Sequence, residues 1–395
     1  MSYSRGEGTT TTLLEGIDSV EISTIRELFE LSSKVQGSIN LTLGEPDYDT
    51  PQHIKEAARK ALDEGYTHYT PSIGYLDLRE AISKKFKREN GFESDPQTEV
   101  IVTPGATQGI LLSIASIAKP GTEILIPTPA FVAYEAAAKL AGVTPKFLPT
   151  SETSDFKLNL DELEKNISKK TVALVLNSPC NPTGTVYSRT ELENLAKIAV
   201  EHNLYILSDE VYEKFVYEGQ HFSVASLEGL SKQVITINSL SKTHAMTGWR
   251  IGFLAAPPAL ASRMLKLQMY SAVCPSAFCQ RAALAALEGS QNHVEKMIKD
   301  YSERRELLRK TLGHLDQITF PFPKGAFYAF INVSGTRMKS REFAVELLQN
   351  ARVAVAPGHG FGPPGELYIR LSFAARRDLL EEGLKKISNF VSSFA

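Results

Sequence analysis

The segment 239–250 combines one lysine with several groups that bind anions. It reads SLSKTHAMTGWR, with two serine hydroxyls just before Lys242 and an arginine eight residues after it. A lysine amine forms an imine with an aldehyde cofactor, and hydroxyls together with a guanidinium bind a phosphate. Taken alone, the pattern would be better interpreted as a surface lysine and arginine in a polar turn. Other motifs must therefore decide whether this is a cofactor site.

Seven short runs rich in β-branched residues would position this segment. They alternate with helical patterns, which predicts an α/β sheet covered on both faces. Ligands of such sheets bind in the loops that follow the carboxyl ends of the strands. Here those loops include PGATQG, NSPCNPTG, SDEVY and SLSKTH, which are unusually polar and rich in glycine and proline. The runs are 99–103, 122–127, 144–149, 172–177, 204–210, 234–239 and 250–256.

The pattern changes after about residue 290. Two strand-like runs and three helical patterns then predict a smaller α+β domain: helices at 293–313, near 341–350 and from about 377, and strands at 326–333 and 366–373. A chain of 395 residues is also long for one hydrophobic core. We expect a large domain of residues 48–290 and a small domain formed by residues 1–47 and 291–395.

Composition excludes several classes of protein. With 43 basic and 45 acidic side chains, the chain has no general attraction to nucleic acid or to anionic membranes. The N-terminal residues lack the apolar core of a secretory signal, and the longest apolar stretch, 109–118, is too short to cross a bilayer. We therefore expect a cytoplasmic protein. The three cysteines and eight histidines lack metal-binding spacings, so no metal site and no disulfide framework is predicted.

Eight motifs resemble, in the same order, those of the class I pyridoxal-phosphate-dependent aminotransferases of fold type I. They are GEPDYDTP (44–51), HYTPSIGYLDLREAI (68–82), TPGATQG (103–109), NSPCNPTG (177–184), SDEVYEKF (208–215), SLSKTHAMTGWRIGF (239–253), KGAFY (324–328) and YIRLSF (368–373). Several motifs in one order are far more specific than one. The resemblance covers nearly the whole chain and implies a mostly parallel seven-stranded sheet flanked by helices. It also implies pyridoxal 5'-phosphate as cofactor, bound by Lys242 as a Schiff base.

The resemblance assigns catalytic roles to three residues. Asp209 would pair with the protonated ring nitrogen of the cofactor, so that the ring accepts electrons when the substrate Cα loses its proton. Tyr212 would hydrogen-bond the phenolic oxygen of the ring together with Asn181. Lys242, once released by the substrate amine, would carry the proton from Cα to the C4′ carbon of the cofactor. Taken alone, Asp209 could equally cap a helix, and Asn181 before Pro182 could be a turn residue.

The resemblance also assigns the remaining cofactor contacts. Backbone N–H groups, hydroxyls and a guanidinium would hold the phosphate: Ala106, Thr107, Ser239, Ser241 and Arg250. The first two open an apolar helix, where N–H groups point at an anion. Tyr69 of the partner subunit would reach the same phosphate, so the active site would require a homodimer. Phe131 would stack on the pyridine ring, although a core phenylalanine on a helix is the alternative.

Arg370 lies within an otherwise apolar strand pattern, which calls for a partner. The resemblance implies that its guanidinium binds the substrate α-carboxylate in bidentate fashion, with help from Gly44 and Asn181. A salt bridge at a sheet edge is the alternative. Arg370 and its neighbours would therefore hold the α-carboxylate of the substrate, but they do not predict which side chain the substrate has.

Side-chain specificity is the least determined feature. In some bacterial aspartate aminotransferases a lysine beside the phosphate loop serves the acidic side chain, whereas this chain has Thr107 there. The chain is most similar to archaeal and thermophile-type aspartate or aromatic aminotransferases. We expect an aromatic or broad amino donor with 2-oxoglutarate as acceptor, in a ping-pong reaction, and keep aspartate as the alternative. A carbon–sulfur β-lyase, or a regulatory protein that only binds the cofactor, has less support.

Overall fold

The computed structural model describes residues 18–20, 24–230 and 232–394. The helices are α1 Thr24–Lys34, α2 Gln52–Asp63, α3 Leu76–Lys85, α4 Ala106–Ile117, α5 Ala133–Leu140, α6 Leu160–Asn166, α7 Arg189–Glu201, α8 Leu240–Thr243, α9 Pro258–Ser271, α10 Ala277–Glu288, α11 Asn292–Leu312, α12 Ser340–Ala351 and α13 Arg377–Ser392. The strands are β1 Ile39–Asn40, β2 Val100–Thr103, β3 Glu123–Thr128, β4 Thr144–Pro149, β5 Thr171–Asn177, β6 Tyr205–Asp209, β7 Val234–Ser239, β8 Gly252–Ala255, β9 Tyr328–Asn332, β10 Val353–Ala354, β11 Ala356–Pro357 and β12 Tyr368–Ser372.

All seven predicted runs form strands of one central sheet. Their order is β2-β8-β7-β6-β5-β3-β4. The neighbouring strands β4, β3, β5, β6 and β7 are all parallel to one another. Strand β8 is antiparallel to both of its neighbours, β7 and β2. Every residue of β2, β7 and β8 is buried, as expected of a sheet covered on both faces. The predicted mostly parallel, seven-stranded sheet is confirmed.

The carboxyl ends of the middle strands lie together. Strand β5 ends at Asn177 and β6 ends at Asp209, and these two residues are directly paired in the ladder. Strand β7 ends at Ser239, which opens the lysine segment. The loops after these strands therefore meet at one edge of the sheet, where a ligand of an α/β protein binds.

The C-terminal part forms a second layered unit. Strands β11, β12 and β9 make an antiparallel sheet with β12 in the centre. The predicted long helix is α11, whose buried residues recur at helical spacing: Val294, Met297, Tyr301, Leu308 and Leu312. Strand β1, near the N-terminus, pairs with β10 in this unit. The fold-class prediction holds, whereas the domain limits, 48–290 against 1–47 with 291–395, stay a prediction. In the described ranges, no helix has both the length and the apolarity needed to span a membrane.

Candidate active site

A cavity of about 710 Å³ lies at the carboxyl ends of the central strands. It brings together every predicted site residue except Tyr69: Gly44, Ala106, Thr107, Phe131, Asn181, Asp209, Tyr212, Ser239, Ser241, Lys242, Arg250 and Arg370. The side chain of Tyr69 is 85% exposed and does not line the cavity. Residues from six separate motifs thus converge on one space, although their individual roles stay predictions.

Lys242 projects into this cavity from the short helix α8. Its Nζ donates a hydrogen bond to the backbone oxygen of Gly44 at 2.5 Å. The side chain borders the cavity, but the surrounding protein withdraws it from bulk water. This burial lowers the pKa of Lys242 to about 8, with Arg370 and Arg250 acting in the same direction. The neutral amine, which is the form that attacks carbonyls and accepts protons, is therefore more available than in an ordinary lysine.

Asp209 is the last residue of β6 and is buried. Its Oδ2 accepts a hydrogen bond from the hydroxyl of Tyr134 at 2.7 Å, and its Oδ1 accepts one from the N–H of Val211 at 3.2 Å. Burial raises the pKa of Asp209 to about 6, against the lowering effect of these two donors. Residues 211–214 form a turn, so Asp209 does not cap a helix there. The carboxylate instead lies at the cavity wall, where its two hydrogen bonds offset part of the cost of burying its charge.

Arg370 lies on β12, the central strand of its sheet and not an edge strand. One guanidinium nitrogen donates to Oδ1 of Asn181 at 3.0 Å, and the other donates to the backbone oxygen of Thr42. Its Nε has no hydrogen-bond partner among the described residues. A buried guanidinium with an unused N–H group, facing a cavity, is suited to bind a carboxylate. The alternative of an ion pair at a sheet edge is therefore wrong.

Two tyrosines form the floor beside the arginine. The hydroxyls of Tyr212 and Tyr328 hydrogen-bond at 2.8 Å, and the Arg370 guanidinium carbon lies 4.5 Å from the centre of the Tyr328 ring. Burial raises the pKa of Tyr212 well above its ordinary value, so the phenol stays protonated and can donate. A Cβ at Gly44 would lie 2.2 Å from the Tyr328 hydroxyl, which explains why glycine occupies this position.

The opposite end of the cavity is a cradle for an anion. Helix α4 begins at Ala106, so its first N–H groups have no partner within the helix. Gly105 has φ +81°, and a Cβ there would lie 2.4 Å from Nη2 of Arg250. Ser239 donates from Oγ to Oγ of Ser241 at 2.8 Å. N–H groups, hydroxyls and a guanidinium thus face one small region, as phosphate binding requires.

Sequence reasoning missed several residues of the cavity. Tyr134 binds Asp209, and its position three residues after Phe131 could have placed both on one side of a helical turn. Tyr328 ends the KGAFY motif, which was recognised without a role for its tyrosine. Arg26 also lines the cavity, although it precedes all the recognised motifs and had no signal.

A buried polar network lies behind the strand end that carries Asp209. Lys85 donates to Oε1 of Glu213 and, at 2.7 Å, to Oδ1 of Asn90; the side chains of Lys85 and Glu213 are only 5% exposed. Burial alone would raise the pKa of Glu213, but Lys85, aided by His221 and hydrogen bonds, lowers it to about 2. Glu210, Glu213 and His221 have the donor atoms of a metal site, but the Lys85 ammonium already provides a cation to this group.

Replacing Lys85 with methionine should destabilise the protein by about 3–5 kcal/mol, because Glu213 would remain buried without its cation. Urea denaturation measures this loss as a decrease in the free energy of unfolding. Lys87→Met is the matched control, since Lys87 and Glu93 form an exposed pair with side chains 70% and 78% exposed. That variant should lose little stability, because solvent screens the exposed pair. Equal losses in the two variants would contradict a structural role for the buried pair.

Comparison with known proteins agrees with the geometry of the cavity. The family model for aminotransferase class I and II matches residues 36–387. The chain is 49% identical to an aspartate aminotransferase of Pyrococcus abyssi over 374 residues, covering 94% of this chain and 96% of the relative. It is 48% identical to aromatic-amino-acid aminotransferase 2 of Thermococcus litoralis over 378 residues, covering 95% and 97%.

A solved structure agrees as well. The crystal structure of an aromatic aminotransferase from Pyrococcus horikoshii superposes with a TM-score of 0.89 at 48% identity, covering 93% of this chain and 99% of that one. The family model extends over both the central sheet and the C-terminal unit, and with them over all the cavity-lining motifs. The chain therefore belongs to the class I and II aminotransferases, which are transferases of nitrogenous groups.

Proposed function

We propose that this aminotransferase uses pyridoxal 5'-phosphate to move the α-amino group of an aromatic, or more broadly chosen, amino acid to 2-oxoglutarate. The observation that carries the proposal is the convergence of Lys242, Asp209 and Arg370 on one cavity that also contains an anion cradle. Two features support a fit to the cofactor. The cradle around Gly105 excludes a side chain, and the carboxylate of Asp209 stands at the wall with an elevated pKa.

Bound in this cavity, the cofactor supplies an aldehyde carbon for amine exchange and a ring that takes up the electron pair of the broken Cα–H bond. Lys242 would accept the Cα proton with its neutral amine and carry it to the C4′ carbon of the cofactor. Asp209 would pair with the ring nitrogen and keep it protonated. Arg370 would fix the substrate α-carboxylate and so keep the Cα–H bond directed at Lys242. The hydroxyl of Tyr212 would donate to the phenolic oxygen of the ring.

A homodimer is part of the proposal. Tyr69 is 85% exposed and does not line the cavity of its own chain, and Tyr270, which is 91% exposed, gives the chain a second large aromatic surface group. Tyr69 of the partner subunit would then complete the phosphate cradle. Tyr69→Phe should weaken cofactor retention, measured by the absorbance of the cofactor that remains after dialysis, without unfolding the protein.

We also propose a cytoplasmic location.

The cavity wall supports the choice of an aromatic amino donor. Aromatic substrates are favoured by its apolar part, formed by Phe29, Leu43, Ile110, Phe131 and Val132. The similar proteins from Thermococcus and Pyrococcus include both aromatic and aspartate aminotransferases by name. Aspartate is therefore the second candidate donor, and it has its own support in the cations of the cavity.

The experiment follows each half-reaction separately. Tyrosine, phenylalanine, aspartate and alanine are added in turn to the holoenzyme, and absorbance records conversion of the cofactor from its aldehyde to its amine form. Conversion by aromatic amino acids, reversed by 2-oxoglutarate, is the expected result. A preference for aspartate would move the assignment to the second candidate. Release of pyruvate and ammonia from cysteine or cystathionine, without the amine form, would instead indicate a β-lyase.

A further inference from the structure

Helix α11 carries two buried arginines at adjacent positions. The side chains of Arg304 and Arg305 are each 4% exposed, and neither residue lines the active-site cavity. Arg305 pairs with Glu218, and its guanidinium carbon lies 3.8 Å from the centre of the Phe322 ring. Arg304 has a different set of partners. Because a buried guanidinium needs acceptors for its N–H groups, those partners show which parts of the chain Arg304 holds together.

The guanidinium of Arg304 connects two distant segments of the chain. Its Nη1 and Nη2 donate to the two carboxylate oxygens of Asp47, each at 2.9 Å. Nη1 also donates to the backbone oxygen of Ala375 at 2.5 Å, and Nη2 to Oδ2 of Asp300, four residues earlier on the helix, at 2.6 Å. The Asp47 side chain is only 15% exposed, so water screens this bidentate pair little. Arg304 therefore fixes Asp47 and Ala375 relative to each other.

Both partners lie shortly after residues that border the substrate space. Asp47 follows Gly44 by three residues, and Ala375 follows Arg370 by five. Gly44 and Arg370 line the cavity, and under the proposed function they are the two groups that receive the substrate α-carboxylate from opposite segments. Arg304 thus holds the continuation of each segment without reaching the cavity itself.

The two segments also contact each other directly. The N–H of Ser372 donates to the backbone oxygen of Leu41 at 3.0 Å, and Arg370 donates to the backbone oxygen of Thr42. These hydrogen bonds join the segments on one side of the substrate space, and the Arg304 guanidinium joins them beyond it. Connections at both places leave the residues between them little freedom to move apart.

The position of Gly44 tolerates little displacement. Its backbone oxygen accepts the hydrogen bond of Lys242 at 2.5 Å, and a Cβ would lie 2.2 Å from the hydroxyl of Tyr328. Pro46 stands between Gly44 and Asp47, and its ring fixes one backbone dihedral, which limits how much movement this short stretch can absorb. A displacement of about 1 Å at a substrate-positioning group costs about 100-fold in rate. The anchoring of Asp47 therefore matters for the cavity.

We propose that Arg304 is a positioning residue for the α-carboxylate site: it connects the segment after Gly44 to the segment after Arg370, and so sets the spacing of the two groups that hold the carboxylate. The inference rests on the proposed function. Arg304 acts only through these two groups, since it does not line the cavity. Every amino-acid and 2-oxo-acid substrate has this carboxylate, so Arg304 acts on all of them alike, whatever their side chain.

The test compares how the holoenzyme binds 3-phenylpropionate and its amide, 3-phenylpropionamide. The two ligands differ only in the carboxylate, so the ratio of their Kd values measures the α-carboxylate site, and wild type should prefer the acid. In Arg304→Gln this preference should fall about tenfold, the contribution of one charge-assisted hydrogen bond, while the Kd of the amide changes less than about threefold. The kcat/KM values for phenylalanine and for aspartate should fall together.

Arg305→Gln is the matched control, because it removes an equally buried arginine from the next position of the same helix. It should keep the preference for the acid. Asp47→Ala removes the same connection from its other end and should reproduce the loss. Arg304→Lys keeps a charge but not the planar fork, so its preference should lie between those of wild type and Arg304→Gln. These last two variants decide the question if Arg304→Gln does not fold.

Three results would overturn the inference: an unchanged preference for the acid in Asp47→Ala and Arg304→Lys, an equal loss of affinity for the acid and the amide, or the same loss of preference in Arg305→Gln. The second would mean a general structural role. A wild-type holoenzyme that prefers the acid, and loses this preference in Arg304→Gln, but converts no amino acid would instead refute the proposed function and leave the positioning role of Arg304 in place.

Discussion

Replacing Lys242 with alanine should slow the first half-reaction by at least about 10⁴-fold, the upper range for loss of a positioned acid–base group. The variant lacks both the amine that exchanges with the substrate and the base that takes the Cα proton. Burial lowers the pKa of Lys242 to about 8, so the neutral amine on which both roles depend is more available than in an ordinary lysine. Absorbance of the cofactor during a single turnover with phenylalanine measures the rate.

Two companion experiments separate chemistry from structure. Lys242→Arg keeps a cation in the cavity but not a base, because a guanidinium does not lose its proton in proteins, so it should be as slow as the alanine variant. Added methylamine should partly restore Lys242→Ala, since a small amine fits the space left by the side chain. A half-reaction within tenfold of wild type in either variant would remove Lys242 from the proton transfer.

The strands of the central sheet could be predicted closely because their signal is local. The run VITINS at 234–239 is β7 to the residue, and TPKFLP at 144–149 is β4. Buried parallel strands need continuous apolar, β-branched sequence, and the polar loops after them stand out by contrast. The same contrast predicts that Asp209 and Lys242 lie at the carboxyl ends of the strands, where the structure has them.

Contacts between distant parts of the chain had no such signal. Lys85 and Glu213 are 128 positions apart, and their pairing depends on how a helix packs behind the sheet. Arg26 belongs to a helix outside all the recognised motifs, and its place in the cavity wall follows from the burial of Leu28 in the C-terminal unit. Tyr69 is a different case, because its predicted site lies on a second copy of the chain.

Replacing Asp209 with asparagine should lower the rate of the first half-reaction by about 10³-fold, the cost of removing one preorganised electrostatic partner from a buried site. Asparagine keeps the shape of the side chain and one of its two acceptor oxygens, but not the charge that would hold a proton on the ring nitrogen. Single-turnover absorbance with phenylalanine measures the loss, and unchanged cofactor content would separate it from failure to bind. A variant as fast as wild type would mean that the ring nitrogen is not paired with this carboxylate.

The pH dependence of the rate is a second test of the charge on Asp209. Burial raises the pKa of its carboxyl to about 6. In the holoenzyme a protonated ring nitrogen would stabilise the anion, so the rate should fall, as the charge is lost, at a pH below that value. Tyr134 donates to the same carboxylate at 2.7 Å and stabilises its charged form. In Tyr134→Phe the pKa of Asp209 should therefore rise, moving the acid limb upward by about one pH unit. In Asp209→Asn the limb should vanish, because nothing at that position titrates; a limb that persists there would belong to another group.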